Sequence, residues 1–275
     1  MKLLELVAEA ADKFSRNGLV LNINEDELVI VGDLHGDIET LEQILKRWNK
    51  KILFLGDYVD RGTHGVEVLE TALGLYLEGR AYMLRGNHES AIMNKEEGFL
   101  DELCLLKQMP NCLEIYRNIE NTFVKMPLAA VVNGSIFAVH GGIPLREPSM
   151  EPAPIEDLRR ASDLAMPADP IAWQALWNDP CECETYRPSP RGFGIWLFGR
   201  RPTEAFLKRE GLRRIVRGHL YVESGYAVHL GVVHTVFSSK AGPYKHARPK
   251  VALLSGGAMS IIDIYTGEEV AEVRL

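Results

Sequence analysis

Five times along this chain an apolar run stops at a glycine-flanked cluster of aspartate, asparagine or histidine. ELVIV (27–31) leads into GDLHGD (32–37), and KILFL (51–55) into GDYVDRG (56–62). AYMLR (81–85) leads into GNHE (86–89), SIFAV (135–139) into HGG (140–142), and RIVRG (214–218) into His219. Short apolar runs bounded by turn signals read as buried strands. In open α/β sheets the crevice beyond the carboxyl ends of the strands is where ligands collect. The pattern therefore gathers Asp33, His35, Asp57, Asn87, His140 and His219 at one place, although they are far apart in the chain.

Helical spacing fills the gaps between the early strands. The stretch MKLLELVAEAADKF opens an amphipathic helix expected over about 1–17, with Gly18 as its stop. Ile38, Leu41, Leu45 and Trp48 mark a helix near 37–48, and Val66, Leu69, Leu73 and Leu77 another over 64–78. A further helical region is expected up to about residue 120. Strand–helix alternation of this kind implies a parallel sheet with covering helices. The second half is more hairpin-like: Asn133-Gly134 suits a type I′ turn, and strand pairs are expected near 226–238 and 250–274, the latter turning at Thr266-Gly267. Residues 145–170, with Pro148, Pro152, Pro154, Pro167 and Pro170, read as a loop-rich excursion. Because His140 precedes this excursion and His219 follows it, residues 1–275 are expected to form a single domain, with a motif core over about 27–264.

Composition narrows the partners. A net charge of −7 argues against nucleic acid, whose backbone is bound by basic patches. No apolar run reaches the roughly 18 residues of a membrane span. Glu5, Glu9 and Asp12 break the apolar core that a signal peptide needs, so a cytoplasmic location is expected. The four cysteines, Cys104, Cys112, Cys181 and Cys183, are expected to be ordinary reduced thiols, since no second close pair completes a zinc site with Cys181 and Cys183.

Imidazole, carboxylate and amide oxygen without thiolate suit divalent Mn²⁺, Fe²⁺ or Zn²⁺. Six donors exceed one tetrahedral shell and suggest two ions with a shared carboxylate. Two such ions, two carboxylates and one hydroxide sum to about +1, which would draw in an anion. Paired metals are a recurring device for in-line attack at phosphorus. Arg61 and Arg191 are candidate phosphate cations, as guanidinium offers paired donors. His88 is the candidate acid for the leaving group, with Asp60 to orient it and favour its charged form.

In this order, GDLHGD, GDYVDRG, RGNHE, HGG and RGH resemble the phosphoprotein phosphatase family of serine/threonine phosphatases, within the calcineurin-like metallophosphoesterases. ALWNDP (175–180), RGFG (191–194) and RGHLYVESGY (217–226) are similar to further family segments. The resemblance implies that Asp33, His35 and Asp57 bind one metal, and that Asp57 bridges to a second held by Asn87, His140 and His219. It implies phosphate binding by Arg61, Arg191 and Asn87, and a general acid His88 paired with Asp60. The implied fold is a β-sandwich of two packed mixed sheets flanked by helices. The implied cofactors are two divalent ions, Mn²⁺ first among them, and the implied substrates are phosphorylated proteins or peptides, phosphotyrosine included. Two departures stand out: FSSKAGPY (237–244) replaces the SAPNYCG loop of eukaryotic members, and Asp37 stands where many members have glutamine.

Two other functions compete. A symmetrical dinucleoside polyphosphate hydrolase or another small-molecule phosphoesterase would share the metal site, but YVDRG and HGG favour the protein phosphatase branch. A binding protein on a degenerate enzyme fold would lack a ligand or the acid, and none is missing.

Overall fold

The computed structural model describes residues 2–162, 164–165 and 169–275. Two mixed sheets form the centre, each with six strands among the described residues. One runs Glu269–Arg274, Ala258–Asp263, Lys250–Ser255, Glu27–Val31, Lys51–Phe54, Ala81–Met83, with its last three strands parallel. The other runs Val20–Ile23, Ala129–Val132, Ile136–Val139, Arg214–Arg217, Val233–Val236, Tyr226–His229.

Side chains alternate across a strand with a period of two, and here both faces are covered. Leu28 and Ile30 pack inward with Leu53, Ala130, Ala138 and Val216, which makes the layer between the sheets. Val29 and Val31 pack outward with Phe14, Leu41, Leu69 and Ile119. Those partners lie on helices Lys2–Asn17, Ile38–Arg47, Gly65–Leu77 and Cys112–Val124. The second sheet presents Phe137, Val139 and Ile215 to Leu158, Leu176 and Phe206, on helices Ile155–Arg160, Pro170–Trp177 and Arg200–Glu210. Burial on both faces is why ELVIV is continuously apolar rather than alternating. The parallel sheet read from the alternation is thus only part of one layer, and the sandwich implied by the family resemblance is what forms.

Asp37 caps helix Ile38–Arg47, its carboxylate accepting from the Thr40 backbone N–H at 2.9 Å, and it also accepts from the Lys240 N–H at 2.7 Å. It is a helix cap tied to the 237–244 segment. Strand Val20–Ile23, not anticipated, pairs in parallel with Ala129–Val132. Within the loop-rich excursion, Leu145–Arg146 pairs with Glu151–Pro152 and Ile155–Arg160 is helical; Pro167 lies outside the described residues, as does Met1 of the first helix. The cysteines depart from expectation: Cys104 is joined to Cys112 and Cys181 to Cys183 as disulfides. The chain reverses between the π-helical turn Glu102–Leu106 and helix Cys112–Val124, and turns again after Asp179–Pro180, which brings each pair together. Among the described residues no helix is long and apolar enough to cross a membrane.

Candidate metal centre

The two sheets end at the same place. Asp33, Asp57 and Asn87 follow the three parallel strands of the first sheet, while His140 and His219 follow Ile136–Val139 and Arg214–Arg217 of the second. All five are buried, as is His35. The loops carrying them are knitted by backbone hydrogen bonds: the Leu34 and His35 N–H groups donate to the Asp57 carbonyl at 3.0 and 2.9 Å, and Gly36 N–H to the Tyr58 carbonyl at 2.9 Å. The His219 N–H donates to Asp33 Oδ1 at 2.7 Å, which joins the two sheets across the site.

These turns hold unusual backbone. His35, Asp57, Asp60, Arg61 and His219 all have positive φ, between 47° and 69°. Side-chain-bearing residues rarely adopt that region, and it persists only where surrounding structure imposes it, commonly at functional sites. Gly86 shows how close the packing is: a Cβ there would stand 2.2 Å from Asp57 Oδ1.

The donor atoms fit a cation. His35 Nδ1 faces the Val59 carbonyl and His140 Nδ1 the Leu55 carbonyl, both at 3.1 Å. With Nδ1–H donating to those carbonyls, each Nε2 is aimed into the site, the usual arrangement behind a metal-binding histidine. Asp33 Oδ2 is buried without a hydrogen-bond partner. It lies 3.7 Å from His35 Nε2, which is 3.5 Å from Asp57 Oδ2. The other carboxylate oxygen, Asp57 Oδ1, is 3.4 Å from His140 Nε2. Asn87 Oδ1 is 2.9 Å from His140 Nε2 and 2.8 Å from His219 Nδ1. Donors each about 2.1 Å from a shared ion would be separated by about 3 Å or slightly more. Two groups of three donors lie within 4.8 Å of one another, His35–Asp57–His88 and Asp57–His140–His219. Asp57 belongs to both.

Electrostatics follow from burial and crowding. Burial would raise the Asp57 carboxyl, but the imidazoles of His140 and His88 outweigh it and hold it well below the usual carboxylate range. Burial would lower His35, yet the neighbouring carboxylates of Asp33 and Asp57 raise it to about 9, so a cation binding there would displace its Nε2 proton. His219 is pushed well below the ordinary histidine value, first by burial and then by Arg191. Its neutral ring keeps a lone pair for a cation.

His88 lies beside this group. Its Nδ1 is 2.8 Å from Asp60 Oδ2, and Asp60 is held by the Asn94 side chain and the Phe99 N–H, each at 2.9 Å. Both expected arginines are tethered by carboxylates. Arg61 pairs with Glu97 at 3.0 Å, and Arg191 Nε donates to Asp179 Oδ2 at 2.6 Å. Asp179 Oδ1 in turn takes the buried Arg217 at 2.7 Å.

Several members of the site were not anticipated. Besides Asp179 and Glu97, there is the fully buried Glu89, which accepts backbone N–H groups from Asp57, Tyr58 and Gly86. Burial and the Asp57 charge raise its carboxyl to about 7. Tyr244 stacks on His35 with ring centroids 5.3 Å apart, so the altered 237–244 segment does reach the site. Glu89 and Asp179 sit inside motifs already visible, RGNHE and ALWNDP, but their hydrogen bonds run to backbone and to a distant arginine, which spacing does not show.

Residues 27–223 match the family described as calcineurin-like phosphoesterase. The chain is 36% identical over 220 residues to a protein of Encephalitozoon cuniculi named as a probable serine/threonine-protein phosphatase, covering 78% of this chain and 47% of that one. It is 30% identical over 261 residues to the Saccharomyces cerevisiae protein phosphatase PP2A-like PPG1, covering 88% and 67%. The chain thus spans about half and two thirds of these relatives' lengths. A solved serine/threonine phosphatase from Saccharomyces cerevisiae, described as similar to human PP5, superposes with a TM-score of 0.84 at 28% identity, covering 93% of this chain and 82% of that one.

Proposed function

Because the chain belongs to the calcineurin-like phosphoesterase family, we propose that it is a dimetal-dependent phosphomonoester hydrolase acting on phosphoserine and phosphothreonine in proteins. The observation that carries this reading is Asp57, whose two oxygens face two different donor groups. The same proposal treats residues 1–275 as one catalytic unit. Its support is helix Lys2–Asn17, which packs into the same core layer as the helices that cover the strands carrying Asp33, Asp57 and Asn87.

Divalent ions in this site would neutralise the phosphoryl oxygens and activate the attacking water. We assign Asp33, His35 and Asp57 to one ion, and Asp57, Asn87, His140 and His219 to the other. Mn²⁺ is our first choice, since the donors are imidazole, carboxylate and amide oxygen. His88 stands close enough to His35 and Asp57 to be a ligand itself. We place it as the acid instead, because Asp60 takes its Nδ1 and leaves Nε2 free to deliver a proton to the departing alkoxide. Arg61, Arg191 and Asn87 hold the phosphate. Asp179 presents Arg191 by fixing its Nε, which leaves the terminal nitrogens to form a paired grip.

The relatives' names favour phosphoprotein over dinucleoside polyphosphate, the alternative substrate class. Cytoplasmic residence belongs to the same proposal. The test is hydrolysis by metal-stripped protein of a phosphoserine peptide and of diadenosine tetraphosphate, before and after Mn²⁺ is restored. Peptide hydrolysis that returns with the ion is the expected result. Preference for the nucleotide would overturn the substrate assignment, and activity that survives full metal removal would overturn the mechanism.

A further inference from the structure

Beside the Arg191 loop the surface opens into a cavity of about 700 Å³. Leu145, Ile171, Trp173 and Phe193 line it, and Arg146 and Glu147 stand among its walls. Phe193 is fully exposed, although it is a large apolar side chain only two residues beyond Arg191. Isolated apolar side chains on a surface need no explanation, but one at the mouth of an apolar cavity calls for a partner.

The chemistry of that partner follows from the rim. Arg146 is engaged by Asp157 through two hydrogen bonds, at 2.6 and 2.7 Å. Glu147 accepts the indole N–H of Trp196 at 3.0 Å, and Gln174 is spent on the backbone of Leu145. These polar groups are already paired, so a charged occupant would lose its hydration without gaining a partner. An apolar occupant loses nothing. Its source follows from position: Trp173 packs against Trp177 with centroids 5.1 Å apart, and Trp177 meets His219 edge-on at 5.6 Å. A continuous aromatic wall therefore runs from the proposed metal site into the cavity, and Phe193 shares a loop with the arginine assigned to phosphate.

We propose that this cavity is a specificity subsite for a bulky apolar side chain of the phosphorylated substrate, a few residues from the phosphorylated position. An extended peptide advances about 3.3 Å per residue, so a neighbouring side chain reaches the cavity while phosphate rests on Arg191. The inference rests on the phosphoprotein reading of the site and adds to it a preference in the flanking sequence.

Mn²⁺-loaded protein would be titrated calorimetrically with peptides carrying a non-hydrolysable phosphonate in place of phosphoserine. Leucine or tryptophan would be moved in turn through the four positions on either side. The expected result is a dissociation constant about five- to tenfold lower than for alanine at one or two positions. That preference should shrink towards unity in Phe193→Ser, whose side chain is fully exposed and supports no core. Ile171→Ala is the second variant, trimming the cavity wall without adding a charge; because Ile171 also packs against the core of the second sheet, its melting temperature is measured alongside. Equal affinities at every position, or a preference that survives both substitutions, would overturn the subsite. Binding preference without hydrolysis of the matching phosphoserine peptides would leave the subsite standing and count against the hydrolase reading instead.

Discussion

Glu89 Oε2 accepts the backbone N–H of Asp57 at 2.8 Å, so the residue immediately after His88 sets the turn that aims the shared carboxylate. The same oxygen accepts the Gly86 N–H at 2.8 Å, and Oε1 accepts that of Tyr58 at 3.0 Å. Three donors converge on one carboxylate with no water-facing side.

Glu89→Gln should therefore loosen the site while leaving its volume unchanged. An amide keeps one accepting oxygen and turns an N–H₂ group towards a backbone donor. Altered partners behind metal ligands typically cost about 10- to 100-fold in metal affinity or activity. Metal titration of the variant checks this, and wild-type affinity would show that the clamp is dispensable.

Asp57→Asn replaces two equivalent oxygens by one. Since each oxygen faces a different donor group, elemental analysis should find one ion or none per chain. Two ions retained in that variant would contradict the bridging assignment.

His88→Ala should slow alkyl phosphates, whose leaving groups need a proton, by about 10²- to 10⁴-fold. Activated aryl phosphates should lose far less. Equal losses on both substrates, measured as kcat, would remove His88 from the acid role.

Arg191→Ala should raise the inhibition constant of inorganic phosphate by about tenfold or more, as expected for a lost charge-assisted hydrogen bond. The substitution also strips the buried Asp179 Oδ2 of its partner while Arg217 keeps Oδ1, so the melting temperature should fall as well. An unchanged inhibition constant would move phosphate binding elsewhere.

His234 gives a pH dependence away from the proposed site. Burial, then the charge of Arg214, then that of His229, lower it to about 4. Its unfolded value is near 6.5, so the unfolded chain binds the extra proton first. The stability this group contributes is present above about pH 6.5 and is lost as pH falls towards 4, an effect on the order of 3 kcal/mol. Urea midpoints between pH 7 and 4.5 should fall more steeply for wild type than for His234→Gln, and parallel curves would refute the assignment.

What the chain discloses by itself depends on how local the cause is. The ends of strands Glu27–Val31, Lys51–Phe54 and Ala81–Met83 are legible because apolar run, glycine and ligand are contiguous. His140 and His219 are legible for the same reason. The division into two sheets is not, since Leu28 and Val29 are equally apolar and only their neighbours in space distinguish the layers. Strand Val20–Ile23 is interrupted by Asn22 and followed by no glycine-flanked ligand, so it does not announce itself, and it exists through its pairing with Ala129–Val132. Asp179 and Arg191 are 12 positions apart, and their ion pair depends on a turn that spacing does not encode. The cysteine pairs were missed because disulfide bonding depends on where the chain reverses.

The site also straddles a seam. Asp33, Asp57 and Asn87 hang from one sheet, His140 and His219 from the other, and the residues between the layers set the gap. The distance across the donor set is therefore a gauge of how the two layers are stacked. Thinning that stack, for example by trimming Leu53 or Val216, would shift one half of the donor set against the other. Substitutions that touch no ligand would then alter metal affinity, and the core between the sheets would be under selection for chemistry as well as for folding.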